Sequence, residues 1–112
     1  MRATLAVFAG LVLAGCQTVS ASAPSGLSGL SLVPAPGGLL VEGSGGREIG
    51  FGRDQTGALE SVARVEGTSP RAVACPSGRQ GMETRTGLTL VFERGTFVGW
   101  EGAQGRAGRG CT

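Results

Sequence analysis

Near the C-terminal end the chain reads Leu88-Thr89-Leu90-Val91-Phe92-Glu93-Arg94-Gly95-Thr96-Phe97-Val98-Gly99-Trp100. Two β-forming apolar runs flank a short polar break, which is the pattern of a β-hairpin. With Arg94-Gly95 as a two-residue turn, Phe92 faces Phe97 and Val91 faces Val98. Successive side chains of a strand point to opposite faces, so this pair carries apolar groups on both. A strand pair of that kind belongs in the middle of a small fold, covered on each side. The rest of the chain must therefore supply a helix for one face. For the other it must supply a loop or the Leu-rich segment upstream.

The helix is legible. From Asp54 to Gly67, Ala58, Leu59, Val62 and Val65 fall on one helical stripe. Asp54 stands as N-cap, Gly67 as the C-terminal stop, and Pro70 lies just beyond. Gly57 weakens the first turn by about 1 kcal/mol relative to Ala. Before the helix, Leu39-Leu40-Val41-Glu42 and Arg47-Glu48-Ile49-Gly50-Phe51 flank Gly43-Ser44-Gly45-Gly46, which reads as a second hairpin. After it, Arg71 to Cys75 is a short strand ended by Pro76-Ser77-Gly78, and residues 82 to 86 are a further candidate. The order ββ-α-β(β)-ββ predicts an α+β domain: a small antiparallel sheet of four or five strands packed against one helix. We place it at residues 37–104, followed by a Gly-rich tail, 105–112, that carries Cys111.

A domain this small has a marginal core and benefits from a covalent staple. Cys75 and Cys111 are two of the three cysteines in the chain, and with Cys16 assigned elsewhere they form an even pair. Their wide spacing is unlike a Cys-x-x-Cys redox motif. With no His in the chain they make a poor metal site, and we expect no metal. We predict a Cys75–Cys111 disulfide that pins the tail onto the central strands. Closing a loop of about 35 residues stabilises by roughly 3–4 kcal/mol in the chain-entropy account.

The N-terminus has a different character. Met1-Arg2 is followed by an apolar run from Ala3 to Ala14, broken only by Thr4 and Gly10. That is the length of a signal-peptide core and short of the roughly 20 residues of a spanning helix. The run ends in Leu13-Ala14-Gly15-Cys16. This tetrapeptide resembles the lipobox of bacterial lipoproteins: Leu, two small residues, then Cys. The resemblance implies that the Cys16 thiol is joined to a diacylglycerol, that residues 1–15 are cut away, and that the new amino group is acylated. The residue types suit that chemistry. Small side chains at Ala14 and Gly15 let an extended backbone enter a narrow peptidase site, and a thiol offers an easily ionised nucleophile for the lipid. One acyl chain anchors only marginally, whereas two or more hold stably. The competing reading is an ordinary secretory signal cut after Ala21 or Ala23, with Cys16 incidental. Gln17, in place of the Asp that retains such proteins at the inner membrane, implies the outer membrane, with the domain on its periplasmic face. Residues 16–36 are then the lipidated N-terminus and linker. Ser, Ala, Gly and Pro dominate there, and the segment 17–30 reads as a flexible leash. Leu27, Leu30, Leu32 and Val33 give its second half the means to dock as an edge segment.

Composition excludes several activities. The chain has no His, Lys or Tyr. Ser–His and Cys–His nucleophile pairs, Ser–Lys dyads and Schiff bases are thereby unavailable. Paired carboxylates remain as a route to acid–base catalysis, and the candidates are Glu42, Glu48, Asp54, Glu60, Glu66, Glu83, Glu93 and Glu101. Nothing in their spacing singles out a pair. Gly50-Phe51-Gly52 with Gly57 fails the dinucleotide pattern, because Gln55 stands where the third Gly belongs; we expect no cofactor. Net charge is +2, with ten Arg scattered among eight acids. Nucleic-acid binding calls for clustered charge, so no nucleic-acid partner is expected. Phe51, Arg53, Arg94 and Trp100 are the best candidates for an exposed binding patch.

Gly52 to Pro70 is similar to the helix start and exit of small outer-membrane assembly lipoproteins of the SmpA/OmlA (BamE-like) type. It also has the shape found in β-lactamase-inhibitor-like folds. Those lipoproteins have a longer helical portion and a tighter helix-to-proline exit, and here a hairpin precedes the helix. The resemblance implies an interaction role and carries over no individual residue. The reading that follows is a membrane-anchored envelope lipoprotein, held by acylated Cys16, with a small non-catalytic domain that binds an envelope protein. The alternatives are an inhibitor-like or ligand-sensing periplasmic domain and a carboxylate-based cell-wall hydrolase. Full activity after removal of residues 1–16 favours the former, and turnover abolished by one Glu→Gln change would favour the latter.

Overall fold

The computed structural model describes residue 27 and residues 29–112. The apolar run, Cys16 and the first part of the linker lie outside the described residues. One helix packs against a five-stranded antiparallel sheet, and a three-stranded antiparallel sheet completes an α+β fold. The three-stranded sheet comprises β1 (Ser31–Ala35), β2 (Gly38–Glu42) and β3 (Arg47–Gly50), paired in chain order. Helix α1 (Gln55–Glu66) follows. The larger sheet is a meander of β4 (Arg71–Val73), β5 (Gln80–Glu83), β6 (Thr89–Glu93), β7 (Thr96–Gly102) and β8 (Gly105–Gly108).

The central hairpin forms as its sequence demands. Phe92 pairs with Phe97 and Glu93 with Thr96 across an Arg94-Gly95 turn. Both turn residues have positive φ, 51° and 78°, the signature of a type I′ turn whose twist matches the strands. The expected Val91–Val98 pair does not form. A bulge between Val91 and Phe92 shifts the register, so Val91 pairs with Gly99. Alternation along β6 puts Leu90 and Phe92 on one face and Val91 on the other, all three fully buried. The extra β7 residue, Val98, lets Phe97 and Trp100, three apart, join Leu90 and Phe92 in one cluster.

That first face meets α1 and the three-stranded sheet in one cluster. Ala58, Val62 and Val65 come from the helix, Leu39, Val41 and Ile49 from β2 and β3, and Leu90, Phe92, Phe97 and Trp100 from β6 and β7. Alternation along β2 sends Leu39 and Val41 inward and leaves Leu40 outside. The Phe97 ring stands edge-on to Phe51 and tilted against Phe92, with centroids 5.1 and 5.4 Å away. The Trp100 indole N–H donates to the Ala35 carbonyl at 2.7 Å and so ties the two sheets together.

The helix ends where its caps place them. The Asp54 carboxylate accepts from the Gly57 N–H at 2.8 Å. Gly67 adopts the left-handed conformation, and its N–H donates to the Ala63 carbonyl. Before the helix, Gly52 donates to the Phe97 carbonyl, and Phe97 donates to that of Arg53. The helix start is thus fastened to the hairpin. At the other end Glu66 is buried, and its carboxylate accepts from the Arg85 N–H and the Thr86 hydroxyl, each at 3.0 Å.

Three boundaries differ from expectation. Ser31–Ala35, drawn within the linker but with Leu32 and Val33 able to dock as an edge segment, is an edge strand of the fold. Pro34 lies in it, where a missing N–H is tolerated because the strand is paired on one side only. The strand sought at residues 82–86 lies at Gln80–Glu83, and Thr84–Gly87 turns back into β6. Gly105–Gly108, drawn as loose tail, is strand β8, paired with β7.

The predicted Cys75–Cys111 disulfide is present, with the two Cα atoms 4.6 Å apart. It closes a strap that covers the second face of the central sheet, so the expected cover is a loop, the C-terminal one, and not the Leu-rich segment. Val91 is flanked in register by Gly81 on β5 and Gly99 on β7. A Cβ on Gly81 would lie 3.1 Å from the Cys111 sulfur, and one on Gly99 only 1.9 Å from the Arg109 carbonyl. The segment Arg109–Cys111 therefore runs directly over this glycine trough. Polar bonds hold it down: Arg109 donates to the Val98 carbonyl, Cys111 donates to the Glu101 carboxylate at 2.7 Å, and Ser77 and Arg79 both donate to the Gly110 carbonyl at 3.1 Å.

Candidate functional site

A groove of about 470 Å³ lies between α1 and the β2–β3 hairpin. Its apolar lining comes from Val41 and Ile49 on the sheet, Val65 on the helix, and Leu27 and Leu30 at the start of the described chain. Val41 and Ile49 are buried by the same core-facing alternation, and only their edges form the floor of the groove.

Three arginines stand around this lining. Arg47 comes from β3, Arg53 from the turn before α1, and Arg64 from the last turn of the helix. Arg47 pairs in register with inward-facing Val41, so its side chain lies on the core side of the hairpin. The Arg53 guanidinium donates to the Ser61 hydroxyl at 3.1 Å, which lays it along the helix toward the groove. The Arg64 carbonyl accepts from the Leu27 N–H at 3.3 Å, which fixes the chain's approach beside this site. None of the three has a carboxylate oxygen within 4.0 Å among the described residues, whereas Arg71, Arg79, Arg106 and Arg109 each do. Glu48 also borders the groove. It pairs in register with outward-facing Leu40, and its carboxylate lies beside Gly37, so it belongs to the opposite side of the sheet from Arg47.

The groove thus combines an apolar base, three cations without acidic partners and two hydroxyls, those of Ser44 and Ser61. Guanidinium groups present paired N–H donors to phosphate or carboxylate oxygens. The Ser61 hydroxyl accepts from a guanidinium, and the chain contains no imidazole or amine side chain to take its proton. No cluster of three or more metal-ligating side chains occurs among the described residues.

The four residues offered as a binding patch do not form one exposed surface. Trp100 is only 6% exposed, because it closes the core against Ala35. Phe51 is half-buried against Phe97. Arg94 sits at the hairpin tip and borders a separate depression with Ser77, Arg79 and Glu93. Only Arg53 belongs to the groove. Arg64 and Ser61 share a helical face three residues apart, a spacing visible in the sequence, but the approach of Arg47 from β3 depends on tertiary packing. Cys16 lies outside the described residues, while Cys75 and Cys111 are joined as described. No protein family, curated protein or solved structure matches this chain.

Proposed function

We propose that this chain is a lipid-anchored envelope protein whose small, disulfide-closed domain binds and does not catalyse. The observation that carries the reading is Leu13-Ala14-Gly15-Cys16 directly after an apolar run too short to span a bilayer. The Cys75–Cys111 bridge supports it, since disulfides persist in oxidising compartments such as the periplasm. The absence of imidazole and amine side chains supports a binding role over a catalytic one. Gln17 favours the outer membrane over the inner, with the domain facing the periplasm.

Cells given an alkyne-bearing fatty acid should incorporate it into the wild-type protein and not into the Cys16→Ser variant. The labelled protein should sediment with the outer membrane and leave it only in detergent. Equal labelling of both proteins, or release of the wild type by salt alone, would overturn the reading.

A further inference from the structure

The groove between α1 and the β2–β3 hairpin is unused by the anchoring role, and its chemistry is specific. We propose that it binds the headgroup of an anionic phospholipid: Arg47, Arg53 and Arg64 take the phosphate oxygens, and Leu27 and Leu30 meet the glycerol and upper acyl segments. The inference rests on the membrane anchorage proposed above for the source of the lipid, and on the groove alone for its recognition.

Three features of the site converge on this ligand. The first is charge: three arginines from three separate elements border one groove, and none has a carboxylate partner among the described residues. Of the other described arginines, Arg71, Arg79, Arg106 and Arg109 find acids, whereas Arg85 and Arg94 stand singly and apart. What distinguishes the groove is that three unpaired arginines border one depression. The one acid at the rim, Glu48, belongs to the outer side of the hairpin. The groove therefore has a local positive excess in a chain of net charge only +2.

The second is amphipathy. Leu27 is half exposed and Leu30 partly buried beside it, over a floor of buried Val41 and Ile49. A free inorganic anion has no use for that apolar border, whereas a headgroup joined to acyl chains does. The volume, about 470 Å³, lies in the range of small-molecule sites.

The third is position. Leu27 lies on the groove itself, hydrogen-bonded to the last turn of α1. Ten residues, 17–26, separate it from Cys16. Fully extended, that connection reaches at most about 40 Å. An acylated Cys16 therefore keeps the groove close to the headgroup layer, where effective lipid concentration is high. Attraction between arginines and anionic headgroups then adds to the hold of the acyl chains.

The test uses the full chain purified from its own membranes and held in phosphatidylcholine bicelles, with the arginine Nε–H resonances followed by NMR. Doping with phosphatidylglycerol should shift the resonances of Arg47, Arg53 and Arg64 saturably. Binding should weaken about tenfold for each of Arg53→Gln and Arg64→Gln, the loss of one charge-assisted hydrogen bond. Arg71→Gln and Arg85→Gln, outside the groove, should leave it unchanged. Melting temperatures should be the same for all four variants. The proposal is overturned if the three resonances stay still, or if the groove variants bind phosphatidylglycerol as the wild type does. It is overturned equally if inorganic phosphate reproduces the shifts at the same concentration, which would make this a site for free anions. Intact mass of the same sample reads the state of Cys16 separately. An unmodified Cys16 with intact lipid binding would fault the anchor and spare the groove; the converse would spare the anchor.

Discussion

Arg94 is the one non-glycine residue with a left-handed backbone among the described residues. A type I′ turn asks for positive φ at both central positions, and an arginine Cβ resists it. Arg94→Gly should raise stability by about 0.5–1 kcal/mol, read as a higher urea midpoint at unchanged slope. A fall in the midpoint would mean that the arginine side chain has a structural role at the hairpin tip. Gly99 has the opposite constraint. Its backbone is ordinary, but the Arg109 carbonyl occupies the space of a side chain. Gly99→Ala should cost about 1–3 kcal/mol by lifting the C-terminal strap. Unchanged stability would contradict that crossing. The two positions also differ in legibility: Arg94-Gly95 announces its turn locally, whereas nothing local marks Gly99, whose reason lies ten residues downstream.

At the level of elements, those that declare themselves are the ones whose signals are short-range. Asp54 and Gly67 mark the helix, and Phe92 and Phe97 mark the hairpin, because a cap or a turn is decided within a few residues. Strand β1 showed only through Leu32 and Val33 as a docking edge, and β8 not at all, for the converse reason. Ser31-Leu32-Val33-Pro34-Ala35 has linker composition, and it is a strand because β2 lies alongside it and Trp100 bonds to Ala35. Gly105-Arg106-Ala107-Gly108 has almost no apolar content, and it is a strand because Gly99 and Gly108 permit close backbone approach. The strap beyond β8 depends on the disulfide. Cys111→Ser should lower stability by about 3–4 kcal/mol in the chain-entropy account. Amide exchange should accelerate most at Val91 and its neighbours, the residues the strap covers. Uniform acceleration over the whole sheet, with no local excess, would mean that the strap is not what protects that face.

As a whole the molecule is a small core shared between two sheets and one helix, closed behind by a covalent strap and bordered in front by an arginine-rimmed groove. The α+β class followed from the pattern of hairpin, helix and hairpin, and from the demand that a two-faced strand pair be covered. The groove did not, because Arg47 and Arg64 lie seventeen positions apart and meet only once β3 and α1 pack together. The purpose of the arrangement depends on what residue 16 carries. The most direct measurement is the intact mass of the protein extracted from its native membrane without reductant. It should correspond to a chain beginning at Cys16, heavier by a diacylglycerol and an amide-linked acyl group, and lighter by the two hydrogens lost in the Cys75–Cys111 bond. A mass that begins at Met1, or one that begins at Cys16 with no added lipid, would contradict the account.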